Sequence, residues 1–223
     1  MKLRVYVETS VISYLTNCPA LDVITAGHLA TTYRWWEEQR SNYDLVVSQF
    51  VLDEAAGGDP VAAAKRVATL VGITRLNVQR SEISRLAQLL LAERALPQKA
   101  FVDALHIAVA AVSGVDILLT WNFKHIANGA MMKQIERVCA DAGYRCRCFK
   151  PRYNSWEMTM WTDPVVEEIH QIRQKILADV GGDIVALMAK FCEHQAAQAG
   201  VVIDGKLSLA TTIHDHSKSA GDH

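Results

Sequence analysis

Asp103 is the polar residue whose surroundings most need explanation. Segment 100–112 around it is apolar on almost every side of a predicted helix, which places that helix in a protein core. An unpaired carboxylate is costly there, so Asp103 needs a partner: a Lys or Arg, with Lys99 at the i−4 position, or a metal ion. Pairing of Asp103 with Lys99 or an Arg would remove the strongest argument for the metal. Capping is not expected, because Pro97 and Gln98 place the helix start about a turn and a half earlier. We therefore predict a metal-binding or catalytic role for Asp103.

Three more polar residues follow predicted strands. Glu8 comes directly after the first strand, Glu54 lies on the helix after the second, and Asn122 lies just past a later strand. Ligands of open α/β sheets gather at the carboxyl ends of the strands. Asp53 points about 100° away from Glu54 on the helix, and we favour Glu54 as the inward residue because it shares a face with Phe50. We predict that Glu8, Glu54, Asp103 and Asn122 meet at one edge of the sheet.

Crowded carboxylates repel one another unless a cation lies between them. We expect hard oxygen ligands without nearby His or Cys, and these suit Mg²⁺ or Mn²⁺ better than Zn²⁺. Such an ion polarises a phosphoryl oxygen, activates water and stabilises the leaving oxygen of a phosphodiester. Glu8, Glu54 and Asp103 are the predicted metal ligands. Thr120, His106 and His125 lie near them in sequence, the histidines as structural residues or as bases.

Strands and helices alternate in the first two-thirds of the chain, which predicts an α/β fold with a parallel sheet covered on both faces. The predicted strands are 3–7, 45–47, 116–120 and 144–149. The predicted helices are 9–15, 23–40, a Ser48-capped helix ending at Gly57-Gly58, 60–70, 81–94, the helix of Asp103 and 131–142.

The chain changes character after Phe149. We predict a linker over 150–157, a helix opened by Asp163-Pro164 and running to Asp179, a second helix over 183–199 and a disordered tail over 205–223. Each helix carries an apolar stripe: Val165, Ile169, Ile172 and Ile176 on the first, and Ile184, Leu187, Met188 and Phe191 on the second. Two such helices are marginal alone, so they are expected to dock on the α/β domain.

Composition excludes several classes. No stretch of 18 residues lacks a charged side chain, which argues against a membrane span, and the N-terminus does not read as a signal peptide. The five cysteines are unevenly spaced, which favours reduced thiols in a cytosolic protein. The net charge of −1 divides into +3 for residues 1–157 and −4 for residues 158–223. Opposite charges of this kind are compatible with two segments that dock on each other.

Four segments in order resemble the motifs of the PIN domain family, most closely the VapC-type toxins of bacterial toxin–antitoxin pairs. They are Val5-Tyr-Val-Glu-Thr-Ser-Val-Ile-Ser-Tyr-Leu15, Val47-Ser-Gln-Phe-Val-Leu-Asp-Glu54, Phe101-Val-Asp-Ala-Leu-His-Ile-Ala108 and Leu118-Leu-Thr-Trp-Asn-Phe-Lys-His-Ile-Ala-Asn128. The resemblance covers about residues 3–150. It implies a PIN-like three-layer α/β/α sandwich and a Mg²⁺- or Mn²⁺-dependent ribonuclease with Glu8, Glu54, Asp103 and Asn122 as its catalytic residues.

Two positions depart from the family pattern. The first acid is usually Asp, and Glu8 is one methylene longer, which shifts the expected metal position by about an ångström and can cost on the order of a hundredfold in rate. The fourth position is often acidic, and Asn122 removes that charge. These departures keep a second interpretation open, a silenced PIN scaffold that acts as a binding or assembly module. A third is a DNA structure-specific nuclease, since related folds use the same acids.

The C-terminal helices resemble the antitoxin-like proteins encoded beside PIN toxins, through Trp161-Thr-Asp-Pro-Val-Val-Glu-Glu-Ile-His-Gln-Ile-Arg173. This implies a toxin (1–150) fused to its own inhibitor (151–204). Arg173 lies at the margin of the apolar stripe, and we predict that its guanidinium enters the acidic pocket. RNA is the expected substrate, and a homodimer is expected from the resemblance. The predicted phosphate-binding residues are Lys124, Arg145, Arg147 and Arg152.

Overall fold

The computed structural model describes residues 2–17, 22–146, 148–149, 163–197 and 201–202. The predicted linker over 150–157 and the predicted tail over 205–223 lie outside these residues. The helices of the described part are α1 (Thr9–Thr16), α2 (Val23–Glu38), α3 (Gln49–Ala55), α4 (Pro60–Leu70), α5 (Arg80–Ala92), α6 (Phe101–Val112), α7 (Gly129–Asp141), α8 (Pro164–Ala178) and α9 (Ile184–Ala196).

The strands form one parallel sheet flanked by helices, so the predicted α/β class is confirmed. They are β1 (Leu3–Val7), β2 (Tyr43–Val47), β3 (Thr74–Asn77), β4 (Ile117–Leu119), β5 (Cys148–Phe149) and β6 (Val201–Val202), in the order β5-β4-β1-β2-β3-β6. Strand β1 lies in the centre, with Val5 opposite Leu45 on one side and Ile117 on the other. The carboxyl ends of β1, β2 and β4 consequently open onto the same edge.

The two central strands were predicted within two residues of their bounds, but β3 was not predicted at all. Its sequence, Thr-Arg-Leu-Asn, has poor strand propensity, yet Arg75 and Leu76 are buried. Pairing with β2 in parallel register determines the strand instead, with Val47 opposite Arg75.

The start of α6 was also predicted too early. Gln98–Ala100 form a single 3-10 turn, and the α-helix begins at Phe101. Asp103 therefore lies in the first helical turn, where the helix dipole favours a negative charge. Each residue of α6 is buried, as expected of a helix that is apolar on all sides.

The C-terminal helices pack on the body of the same chain. Helix α8 contacts α1 and α3, and α9 contacts α3 and α5. Val165, Ile169 and Ile172 are buried while Ile176 is partly buried, and Phe191 of α9 stacks on Phe50 with ring centroids 3.9 Å apart. None of the helices in the described ranges combines the length and the apolarity that crossing a membrane would require.

Candidate functional site

The structure brings the four predicted residues to one place. Glu8 follows β1 and caps α1, its carboxylate accepting a hydrogen bond from the Ser10 N–H at 3.1 Å. Glu54 lies on α3, Asp103 on α6 and Asn122 just beyond β4. All four residues are buried, at 0 to 3% exposure. The parallel sheet brings them together, because Glu8, helix α3 and Asn122 each follow the carboxyl end of a strand, at the same edge of the sheet.

Arg173 of α8 lies between the three carboxylates. Its Nε donates to Glu54 Oε1 at 2.6 Å and its Nη1 to Asp103 Oδ1 at 2.7 Å. Its Nη2 donates to Glu8 Oε1 and to Glu54 Oε2. The side chain is 4% exposed. The guanidinium thus occupies the position between the acids for which the sequence predicted a cation, and the residue is the one predicted to enter the pocket.

Hydroxyl groups hold Glu8 on the side away from Arg173. Its Oε2 accepts hydrogen bonds from the Ser10 hydroxyl and from the Thr120 hydroxyl, the latter at 2.8 Å. The Ser10 hydroxyl in turn accepts from the Trp121 N–H at 2.9 Å, and the Thr120 hydroxyl accepts from the Asn122 N–H at 2.9 Å. This network fixes one oxygen of Glu8 and leaves Oε1 directed at the guanidinium.

Glu54 has a histidine and a hydroxyl as further partners. His106 Nε2 lies 2.9 Å from Oε1, and the Thr9 hydroxyl donates to Oε2. On the other side of the imidazole, Nδ1 lies 2.8 Å from the Tyr6 hydroxyl, which also contacts the Ser48 hydroxyl. A proton on Nε2 lets the ring donate to Glu54, and Nδ1 then faces the Tyr6 hydroxyl.

The two carboxylate oxygens of Asp103 contact different partners. Oδ1 accepts from Arg173 and from Asn122 Nδ2 at 2.7 Å, whereas Oδ2 contacts His125 Nδ1 at 2.8 Å. The Asn122 Oδ1 accepts from the His125 N–H at 3.1 Å, which fixes the amide orientation. Asn122 Nδ2 also lies 3.3 Å from His170 Nε2 of α8.

Charge, rather than solvent, stabilises the ionised acids. Burial raises the pKa of Glu54 and the pKa of Asp103. The nearby charge of Arg173 has the opposite effect and brings both pKa values below the ordinary range. His106 adds to this lowering for Glu54, and His125 adds to it for Asp103. Burial opposes the charge of Arg173, yet Glu54, Glu8 and Asp103 raise its pKa well above the ordinary value. The cluster is therefore an ionised network within the protein interior.

One sequence-based expectation about this site was wrong, that of oxygen ligands without a nearby histidine. His106 and His125 contact the acids, in positions that suit the structural role that the sequence allowed, and a ligand atom of His170 lies within 4.8 Å of one of Asp103. His106 lies one turn after Asp103, a spacing that could have predicted its position, whereas His170 comes from a helix remote in sequence. The Lys99 alternative also fails: Lys99 is exposed, and Asp103 pairs with Arg173 and His125.

Two of the four predicted phosphate-binding residues, Lys124 and Arg145, lie at the surface of the described part of the chain. Lys124 is half-exposed, with its Nζ 3.9 Å from Glu167 of α8, and Arg145 is exposed. Arg147 and Arg152 lie outside the described residues. Phosphate binding by these four side chains remains a prediction.

Helix α8 is anchored at two points before Arg173. At its start, Asp163 caps the helix through the Val165 and Val166 N–H groups and accepts a hydrogen bond from the Tyr14 hydroxyl at 2.6 Å. One turn before Arg173, Glu168 pairs with the buried Arg66 at 3.1 Å. These contacts fix the position from which the guanidinium reaches the acids.

Comparisons with protein-family models, with curated proteins and with solved structures found no match to this chain. The fold and the site together define an α/β protein with a buried acidic cluster. An arginine from helix α8 of the same chain lies between the acids of this cluster.

Proposed function

We propose that this chain is a metal-dependent ribonuclease of the PIN type, held inactive by its own C-terminal helices. A parallel sheet with flanking helices is compatible with the three-layer α/β/α sandwich of that class. The observation that carries the proposal is the guanidinium of Arg173, hydrogen-bonded to three buried carboxylates from three separate elements.

The donor set suits a hard divalent cation. Three carboxylates face one positive charge, so the cluster keeps two negative charges in excess if its histidines are neutral. Glu8, Glu54 and Asp103 would hold Mg²⁺ or Mn²⁺ once Arg173 had left, because oxygen ligands are those that these ions prefer. When bound, such an ion polarises a phosphodiester and activates water for attack on phosphorus.

Residues around the acids keep the carboxylates oriented without the ion. Ser10 and Thr120 hold Glu8, His106 holds Glu54, and Asn122 holds Asp103. Groups fixed in advance do not have to reorganise during the reaction, which is a main source of catalytic rate. Asn122 acts here as a positioning residue for Asp103 through its amide N–H.

Closure by α8 excludes both metal and substrate. Arg173 uses an oxygen of each acid, and the carboxylates are no more than 3% exposed. RNA would reach the acids only after α8 had moved away. The substrate backbone would then contact Lys124 and Arg145, together with Arg147 and Arg152.

Cleavage of RNA by Arg173→Gln tests this function. The full-length wild type is expected to cleave single-stranded RNA weakly with Mn²⁺, and the variant at least about a hundredfold faster, since the inhibitory charge is removed. Lys175→Ala is the matched control, because Lys175 lies exposed on the same helix and is expected to leave cleavage at the wild-type level.

A second variant separates cleavage by this site from contamination. Asp103→Asn placed in the Arg173→Gln background should abolish the activity while the circular dichroism spectrum stays unchanged. Absence of cleavage both in folded Arg173→Gln and in a folded chain truncated from Met158 onward would refute the ribonuclease and favour the silenced scaffold. Faster cleavage of branched or single-stranded DNA than of RNA would favour the DNA-nuclease interpretation.

A further inference from the structure

Next to the acidic cluster lies a second group of ligand residues, of which the proposed nuclease uses only Asp103 to hold its metal. Asp103, His125 and His170 each offer one ligand atom, and these atoms lie within 4.8 Å of one another. All three side chains are buried, with His125 and His170 at 7 and 8% exposure. Two of the three ligands belong to the body of the protein, and His170 belongs to α8.

The hydrogen-bond pattern places a lone pair of His170 in this group. The Asn122 carbonyl oxygen accepts from the His125 N–H, so its amide nitrogen must be the donor toward His170 Nε2 at 3.3 Å. His170 Nε2 is therefore unprotonated and faces the cluster. Its other nitrogen, Nδ1, lies 3.7 Å from a carboxylate oxygen of Glu167. Metal-binding histidines commonly donate the second N–H to a carboxylate, and Glu167 lies just beyond the distance for such a hydrogen bond.

The rings of His125 and His170 are placed as a shared ion requires. Their centroids are 5.6 Å apart, and two imidazoles on one tetrahedral ion have centroids about 5 Å apart. Asp103 Oδ2 completes the group, because Arg173 and Asn122 use only its Oδ1. On binding, the proton that His125 Nδ1 donates to Asp103 would move to Nε2 or to solvent, and the lone pair of His170 Nε2 would exchange the Asn122 N–H for the ion.

Charge also favours an ion here. With Arg173 in place the three acids retain two negative charges in excess, and the adjacent ligand group would add a divalent charge to balance them. Two imidazoles and one carboxylate select a borderline ion such as Zn²⁺ over Mg²⁺.

We propose that Asp103, His125 and His170 form a transition-metal site of the Zn²⁺ class, which joins α8 to the body while Arg173 remains among the acids. The ion shares only Asp103 with the proposed nuclease site. It binds the closed arrangement and loses one ligand when α8 leaves, so it stabilises the docked helix. Binding does not depend on whether the chain cleaves RNA.

Titration with Co²⁺ and Zn²⁺ tests the site. The parent is the full chain carrying His214→Gln, His216→Gln and His223→Gln, which removes the imidazoles of the tail. We expect one equivalent of Co²⁺ with visible ligand-field absorption, displaced by one equivalent of Zn²⁺. His170→Gln and, separately, His125→Gln should weaken binding at least about tenfold. The exposed His194→Gln should bind as the parent does.

Hydrogen exchange of α8 supplies the second measurement. Zn²⁺ should slow amide exchange in α8 of the parent and leave it unchanged in His170→Gln. A parent that binds no stoichiometric ion, or His170→Gln that binds as tightly as the parent, would overturn the proposal. Loss of binding in Glu8→Gln with retention in His170→Gln would assign the ion to the acidic cluster instead.

Discussion

The acids of the site have pKa values that burial alone cannot explain. Burial raises the pKa of Glu54 and of Asp103, and the charge of Arg173 more than reverses that effect. The carboxylates are thus stable as anions only while a cation lies between them. Removing one partner of a buried ion pair costs about 3–5 kcal/mol, because the remaining charge loses its compensation.

Stability should therefore depend on pH in opposite directions with and without Arg173. In the wild type, the pKa values of Glu54 and Asp103 lie below their ordinary values of 4.5 and 3.8, so their contribution is complete above about pH 4.5 and is lost as pH falls. In Arg173→Gln, burial raises both pKa values, and stability should fall as pH rises through them.

Thermal melts of both proteins between pH 3 and 8, without divalent metal, measure this effect. The melting temperature of the wild type should exceed that of Arg173→Gln most at neutral pH, and the difference should shrink toward pH 4. Lys175→Ala should follow the wild type throughout. A difference that is constant with pH would show that Arg173 stabilises the fold through packing rather than through charge.

At the scale of elements, the loop after α3 determines how closely α8 approaches. A Cβ atom added to Gly57 would lie 2.7 Å from Ile172 Cγ2, one residue before Arg173. The neighbouring Gly58, at φ +77°, has the left-handed backbone that glycine adopts at least cost. The glycine pair therefore ends α3 and also makes room for the buried face of α8.

Gly57→Ala is expected to displace α8 and to activate RNA cleavage partially, by less than Arg173→Gln does. Adding Ile172→Leu removes the colliding Cγ2 methyl group while it keeps the volume of the buried side chain, so it should lower the activity again. Gly27→Ala is the matched control, since no atom lies within 4 Å of its added Cβ. Cleavage equal in Gly57→Ala and the wild type would mean that the contact tolerates the methyl group.

The helices were more predictable from the sequence than the short strands. Asp59-Pro60 and Asp163-Pro164 are local signals, in which the Asp side chain accepts from the first helical N–H groups. Strand β3 has no such signal, because it is determined by its pairing with β2. The same applies to β6, which pairs with β3 through Leu76 and Val201.

At the scale of the whole molecule, the acids and several of their partners were predictable, but further contacts that α8 makes around them were not. Glu8 and Asp103 were identified from a strand end and an apolar segment, which are local features. His170 contacts Asn122, and Tyr14 contacts Asp163 at the start of α8, because α8 packs across the edge of the sheet. That packing is not apparent from spacing along the chain. Arg173 was predictable because the C-terminal helices offer few basic residues and its position borders the apolar stripe.

The charge division of the chain agrees with this docking. The segment after residue 157 is acidic and the segment before it is basic, and Glu168 pairs with Arg66 while Glu167 lies near Lys124. Ion pairs between exposed groups are worth little, so Arg66, which is buried, carries more of this attachment than Lys124. The expected homodimer remains a prediction.

Competition between Arg173 and a divalent cation is the central claim, and Mn²⁺ affinity measures it directly. Electron paramagnetic resonance of free Mn²⁺, titrated with full-length protein, gives the dissociation constant. We predict weak binding by the wild type, binding at least about tenfold tighter by Arg173→Gln, and loss of that gain when Glu8→Gln is added. Equal Mn²⁺ affinity of wild type and folded Arg173→Gln would contradict the account.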